Sequence, residues 1–193
     1  MKSQQKVSVS KKREIKTYAE LWQTSYCLLQ KGIEEPKGCS HQFRASLVFT
    51  AFTLEAYLNH IGPKVLKCWD DLERLGPREK LNIIAERLKI NIDYGNQPWQ
   101  IVRQLFGFRN KIVHGKSKEI QADEVIPLDN FSDTQFGEFI RIEWEEYCTR
   151  ENAEKARSEV EKIVLTLYEN GRFKDDYPFT FGLQQSDARL VEK

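Results

Sequence analysis

The chain has 193 residues, 40% hydrophobic and 31% charged, a composition typical of a folded globular domain and unlike that of a disordered chain. Its formal net charge of +1 excludes a bulk electrostatic field that would draw it onto nucleic acid, so any such contact must come from a local patch. The longest apolar stretch, residues 45–58, is interrupted by Glu55 and is too short to span a bilayer, so no membrane partner is expected.

The cysteines and the first residues indicate a cytoplasmic protein. The four cysteines form no C-x-x-C pair and have no histidine at ligand spacing, so we interpret them as reduced thiols. No three potential ligands share a metal-binding spacing, and neither a metal nor a cofactor is expected. Residues 1–16 are charged and lack the apolar segment of a secretory signal.

The first half of the chain predicts helices separated by glycine–proline breaks. Residues 1–12 are polar and are predicted to be flexible. Apolar residues at three-and-four spacing predict a helix over about 13–31, ended by the glycines and proline of 32–38. The most apolar segment, about 41–61, predicts the central helix of a bundle, ended by the Gly-Pro pair that follows. A short helix at 65–75 and another beginning at Pro77 complete this half.

The second half predicts two further helices with a β element between them. The segment WQIVRQLFGFRNKIVHG, residues 99–115, predicts an amphipathic helix that Gly115 terminates. Residues 116–148 contain the strand-like stretches EVIPL and FIRIEWEE, which predict a small inserted β hairpin. A last helix is predicted over 149–170, with Thr149 as its N-cap and Gly171 as its C-cap.

The sum of these elements is a mainly α protein, an up-and-down bundle of five to six helices with a small β hairpin insertion. A single helical domain is predicted over 13–171, with the insertion at 116–148. An extended C-terminal tail is predicted over 172–193, and its FTF stretch at 179–181 is expected to pack or pair.

One residue of the helix at 99–115 breaks its pattern. Arg109 falls on the apolar stripe, where an unpaired guanidinium would be strongly unfavourable. Glu55 lies on a stripe of the central helix and is the candidate partner. Such an ion pair would either be purely structural or hold the guanidinium in place for catalysis, and the sequence leaves both open.

Asn110 and His114 extend this feature to the end of the helix. They are four residues apart and lie on one face, whereas Arg109 and His114 are about 140° apart and converge only if both flank one groove. Histidine suits removal of a proton from a ribose 2′-OH, and arginine suits stabilisation of a phosphorane. An asparagine amide can orient either the substrate or the imidazole. Together the three groups could cleave RNA without metal.

The stretch RNKIVH at 109–114 resembles the R-x(4–6)-H signature of HEPN domains, whose preferred form has a polar residue directly after the arginine. The helix SLVFTAFTLEAYLNHIG at 46–62 is also similar to theirs, with an acidic residue and a following Asn in an apolar central helix. The resemblance covers roughly residues 13–170. It implies a bundle that forms a homodimer, with two such motifs facing each other across a two-fold axis.

The resemblance also implies a function, metal-independent endoribonuclease activity in a toxin–antitoxin or phage-defence setting. RNA would be the substrate, the product would carry a 2′,3′-cyclic phosphate, and an antitoxin protein would be a second partner. Arg109 and His114 would be catalytic, with Asn110 orienting and Glu55 supporting. Some HEPN toxins carry a modifiable tyrosine two residues after the histidine, but here that position is Lys116.

Two alternatives to the nuclease remain open from the sequence. One is a non-catalytic HEPN-like interaction or regulatory module that uses the same helix face. The other is a structural helical protein unrelated to HEPN domains, in which Arg109 only satisfies Glu55 and His114 only caps its helix.

Overall fold

The main helices of the fold follow the order that the sequence predicts. The computed structural model describes residues 6–123, 127–128, 140–173 and 177–191. These residues form seven helices and one two-stranded antiparallel sheet: β1 (Lys6–Arg13), α1 (Thr17–Glu34), α2 (Cys39–Val65), α3 (Trp69–Leu72), α4 (Pro77–Arg87), α5 (Gln100–Val113), α6 (Glu143–Glu146), α7 (Arg150–Gly171) and β2 (Gln184–Val191). The predicted helical bundle with a small β element is confirmed, although the position of that β element is not.

Helix α2 is the centre of the bundle, as its apolar sequence predicts. It packs against α1, α4, α5 and α7. Its side chains Leu47, Leu54 and Leu58 are completely buried, and burial of a side chain of this size stabilises the fold by about 1.5–3 kcal/mol. Despite its length, neither α2 nor any other helix in the described part of the chain is apolar enough over a sufficient length to cross a membrane.

Small hydroxyl residues form hydrogen bonds at the contact between α1 and α2. The Ser25 Oγ lies 3.2 Å from the Ser46 Oγ and 2.6 Å from the Thr50 Oγ1. The Ser46 hydroxyl donates to the Ser25 carbonyl at 2.9 Å, and that of Thr50 donates to the Ser46 carbonyl at 2.8 Å. All three residues are buried, and these bonds satisfy hydroxyls that would otherwise cost free energy in the core.

The predicted ends of α1 and α2, at residues 31 and 61, fall three and four residues short of the observed ends, Glu34 and Val65. Helix α2 runs through Pro63 to Val65, because proline removes only one backbone donor in the final turn and Leu66 N still donates to the Gly62 carbonyl at 2.9 Å. Gly62 itself is needed for packing, since a Cβ there would lie 2.3 Å from the Trp69 ring. Helix α1 likewise passes through Gly32, which is buried against the Phe43 ring.

The β hairpin predicted in the insertion is not found in its described residues. Glu143–Glu146, from the stretch FIRIEWEE, form the short helix α6 instead of a strand. The Ile142 N–H donates to the Glu145 carboxylate at 3.1 Å, and Glu145 N donates to the Ile142 carbonyl at 2.8 Å, so local hydrogen bonds favour a helical turn. Residues 124–126 of EVIPL and residues 129–139 lie outside the described part.

The β element is built instead from the two ends of the chain. Residues 6–12, predicted to be flexible, form β1 together with Arg13 and pair antiparallel with β2 from the tail. The register runs from Lys6 opposite Val191 to Arg13 opposite Gln184. We call this two-stranded sheet the β1–β2 ribbon. Its paired residues are far apart in sequence, from Arg13 and Gln184 to Lys6 and Val191, so no local sequence pattern could predict their pairing.

Aromatic packing joins the base of the ribbon to the bundle. The Phe179 ring, in the predicted FTF stretch, stacks on Trp22 with centroids 4.5 Å apart. The Arg157 guanidinium lies 3.6 Å from the centroid of the same Trp22 ring and donates to the Trp22 carbonyl at 2.9 Å. Burial lowers the pKa of Arg157 to about 10, which leaves it cationic at neutral pH. Trp22 is therefore fixed by Arg157 of the bundle, and it anchors the C-terminal tail through its contact with Phe179.

Candidate active site

The anomalous arginine of α5 is paired with a carboxylate of the central helix. α5 buries Ile101, Val102 and Leu105 completely or nearly so, and Arg109 lies on the same side one turn further on. Its Nη2 donates to the Glu55 Oε2 at 2.8 Å, and the two side chains are only 16% and 29% exposed. The ion pair suggested by the two apolar stripes is therefore present between α5 and α2.

Asn110 holds the same guanidinium at a second point. Its Oδ1 accepts a hydrogen bond from the Arg109 Nη1 at 2.9 Å, and the Phe106 ring centroid lies 5.4 Å from the guanidinium carbon. The Arg109 Nε is buried and has no hydrogen-bond partner among the described residues. A guanidinium carries five N–H donors, so these two bonds fix its orientation and leave donors for an anion.

His114 lies at the end of α5, outside this hydrogen-bonded set. Its backbone (φ −104°, ψ 12°) departs from the helix, and its N–H still donates to the Asn110 carbonyl at 2.9 Å. Gly115 follows, where a Cβ would lie 2.9 Å from the Lys111 carbonyl, so glycine permits the tight exit that the sequence predicts. The His114 side chain is exposed and makes no hydrogen bond to Arg109, Asn110 or Glu55. The structure thus joins three of the four predicted residues directly and leaves His114 facing solvent.

A groove lies along the outer side of α5 and reaches His114. It consists of two adjoining cavities of about 860 and 370 Å³ that share Lys111, Glu143 and Trp144. We call it the α5–α6 groove, because α6 forms its opposite wall. The larger cavity is also lined by Ile112, His114, Gly115, Lys116, Ser117, Lys118 and Ile142, and the smaller by Arg103, Gln104, Gly107, Phe108 and Tyr147.

The groove combines positive charge with aromatic surface. Its cations are Arg103, Lys111, Lys116 and Lys118, of which Lys111 forms an ion pair with Glu143. The Trp144 ring is supported by the Arg44 guanidinium, 4.5 Å from its centroid. Three of these cations, Lys111, Lys116 and Lys118, fall in the sequence run RNKIVHGKSK, whereas nothing in the sequence indicates the contribution of Trp144, because its segment resembles a strand.

Burial disfavours the anionic form of two titratable groups beside the groove, Cys148 and Tyr147. Burial raises the pKa of the Cys148 thiol, which donates to the Trp144 carbonyl at 3.1 Å, and burial also raises the pKa of Tyr147. All four cysteines are free thiols. Among the residues that the structure describes, no three His, Cys, Asp or Glu side chains are grouped so that they could hold a metal ion.

We compared the chain with protein-family models, curated proteins and solved structures. No family model, no curated protein and no solved structure matches this chain.

Proposed function

We propose that this chain is a metal-independent endoribonuclease of the HEPN type that acts in the cytoplasm as a homodimer, as a toxin or defence nuclease controlled by an antitoxin protein. One observation carries the proposal: Glu55 and Asn110 hold Arg109 in a fixed orientation, and His114 is exposed at the end of the same helix, in a basic groove. No metal is required, because the imidazole moves the proton and the guanidinium stabilises the charge.

The proposed reaction is transesterification within the RNA strand. The ribose 2′-oxygen gives its proton to a general base and attacks the adjacent phosphorus, and the bond from phosphorus to the 5′-oxygen of the next nucleotide breaks as that oxygen takes up a proton from a general acid. The products are a 2′,3′-cyclic phosphate and a 5′-hydroxyl, so atoms and charge balance without a co-reactant. His114 serves as general base or acid, and Arg109 stabilises the phosphorane. Dimerisation would bring two such pairs together and double the local positive charge.

The α5–α6 groove is the proposed path of a single RNA strand to His114. Lys116 and Lys118 lie two and four positions after His114 and line the same cavity, where they can contact phosphates. Trp144 is supported by Arg44 and lines both cavities, so it can stack against a base. The basic groove supplies the local patch that a chain of net charge +1 needs to bind a polyanion.

Cleavage of a labelled single-stranded RNA in EDTA tests the activity. We expect wild-type protein to produce fragments ending in a cyclic phosphate, identified by mass spectrometry. His114→Ala and Arg109→Ala should each lower the rate by about 100-fold or more, as for loss of a general acid–base group or a charge-stabilising donor. His41→Ala, at an exposed histidine of α2, is the matched control and should keep full activity. Undiminished cleavage by both site variants, with folding verified by circular dichroism, would overturn the proposal.

Gly107 provides a separate test of the RNA path. It lines the groove, and a Cβ at this position would meet no heavy atom within 4 Å. Gly107→Leu should therefore obstruct the groove without disturbing the core, and we expect about tenfold weaker binding of a labelled single-stranded RNA, measured by fluorescence anisotropy in the His114→Ala background. Gly107→Ala is the matched control and should bind as the parent does. Equal affinity of all three proteins would exclude the groove as the path.

One observation favours a second candidate, a non-catalytic HEPN-like interaction module. Both terminal nitrogens of Arg109 are already bonded within the monomer, and this arrangement alone accounts for an arginine on an apolar stripe. Under this alternative the wild-type protein would cleave no RNA in EDTA, while Arg109→Ala would still destabilise the fold. The cleavage assay therefore separates the two candidates.

A further inference from the structure

The β1–β2 ribbon is an incomplete sheet. All side chains of β1 are exposed, and on one face Val7, Val9 and Leu190 remain 55–66% accessible to solvent. Within the described part of the chain no third strand joins it, so backbone groups along both outer edges lack strand partners. A two-stranded ribbon alone is marginally stable in water and is stabilised by additional strands.

The two edges of the ribbon differ in charge. Strand β1, KVSVSKKR, carries four cations and no anion, so a second copy of β1 pairing with it would bring like charges together. Strand β2, QQSDARLV, carries one anion and one cation two residues apart, Asp187 and Arg189. These two side chains lie on one face and already form an ion pair within the strand, with the Arg189 Nε 2.8 Å from the Asp187 Oδ2. The β2 edge is therefore electrostatically self-complementary, and the β1 edge is not.

We propose that two copies of this chain associate by antiparallel pairing of their β2 strands, about a two-fold axis that passes beside Ala188. In this register Asp187 of each copy lies directly opposite Arg189 of the other, which creates two ion pairs between the chains. A register centred on Asp187 would place two carboxylates opposite each other, and one centred on Arg189 would place two guanidiniums opposite each other. Of these three registers, only the one centred on Ala188 places opposite charges across from each other, so the charges favour that register.

The proposed pairing gives a four-stranded sheet in the order β1–β2–β2–β1. Val7, Val9, Ala188 and Leu190 of both copies lie on one face of that sheet, because each copy pairs Val7 with Leu190 and Val9 with Ala188. The two Gln184 residues, where the ribbons join their bundles, would be roughly 26 Å apart at the strand rise per residue. The helical bodies thus lie at opposite ends of the sheet. The interface is separate from α5, so it is a second contact, distinct from the homodimer proposed for the nuclease, and it does not depend on that activity.

A charge swap tests both the interface and its register. Molar mass in solution is measured by light scattering during gel filtration. Asp187→Arg and Arg189→Asp should each halve the mass of the assembly, since each sets like charges opposite each other, and the double variant D187R/R189D should restore it. Lys12→Glu, on the β1 strand, is the control and should leave the mass unchanged. Wild-type mass in both single variants, or no restoration in the double variant, would overturn the proposal.

Cross-linking provides a test that does not depend on altered charge. Ala188→Cys would place two thiols opposite each other at the axis, at a separation that a disulfide can bridge, and should give a covalent dimer under mild oxidation. Leu190→Cys, two residues from the axis, should not. The wild-type protein is the baseline, because Cys27 and Cys68 are exposed. Equal cross-linking of the two variants would exclude the register. These results are independent of RNA cleavage, so either proposal can fail while the other stands.

Discussion

The helical bundle and the β1–β2 ribbon are stabilised by different interactions. The bundle completely buries Leu47, Leu54 and Leu58 of its central helix, whereas every β1 side chain of the ribbon is exposed. The stability of the bundle therefore comes from apolar burial, and that of the ribbon comes from backbone pairing and its anchored base. The bundle completes its own apolar core, whereas, among the described residues, the open edges of the ribbon leave backbone groups without strand partners. Substitutions in the two regions should differ accordingly.

Truncation of a core side chain should show the largest difference. Leu54→Ala in α2 should lower the free energy of unfolding by about 3 kcal/mol, since it removes a fully buried side chain and leaves a cavity. Val9→Ala in the ribbon should lower it by less than about 0.5 kcal/mol, because that side chain is exposed. Urea denaturation followed by circular dichroism measures both. Comparable losses of unfolding free energy would show that the exposed Val9 stabilises the fold as much as the buried Leu54 does, which would contradict the expected difference between the two regions.

The ion pairs of the two regions should also differ in how much they contribute to the free energy of unfolding. Glu55→Gln should lower the free energy of unfolding by about 1–2 kcal/mol, because it leaves the largely buried Arg109 cation without a counter-charge. Glu20→Gln is the matched control at the base of the ribbon, where Glu20 pairs with Arg13 and both side chains are about half exposed. There the loss should be below about 0.5 kcal/mol. The same denaturation experiment measures both, and an equal loss would show that burial does not distinguish the pairs.

The smallest effect on global stability is expected at the ribbon base. A Cβ at Gly182 would lie 2.3 Å from the Glu14 carbonyl, next to the hydrogen bond from Glu14 N to the Leu183 carbonyl at 2.9 Å. Gly182→Ala should therefore displace the ribbon and raise hydrogen exchange of the β1 and β2 amides by about tenfold or more. The urea midpoint of the bundle should not change. Unaltered exchange in the strands would show that Gly182 is not required for the close approach.

Local patterns anticipated the helices and the pairing of Arg109 well. An apolar stripe with one arginine, on a helix facing another stripe with one glutamate, leaves few ways to satisfy either charge. Thr149 was recognisable as the N-cap of α7, and its hydroxyl accepts from Asn152 N at 3.2 Å. Alternation predicts a strand in FIRIEWEE, whereas Glu143–Glu146 form a helical turn, in which Glu145 bonds back to Ile142 and Trp144 packs against Arg44. These contacts favour a helical turn that periodicity alone does not reveal.

The sequence by itself determined the number and order of the main helices, the central position of α2 and the chemistry concentrated at the end of α5. These features follow from periodicity and composition, which act over a few residues. Only the tertiary structure decided that the two ends of the chain pair as β1 and β2, and that α6 closes a basic groove beside His114. Both depend on contacts between distant segments, whose free energy is gained only after the bundle has brought those segments together.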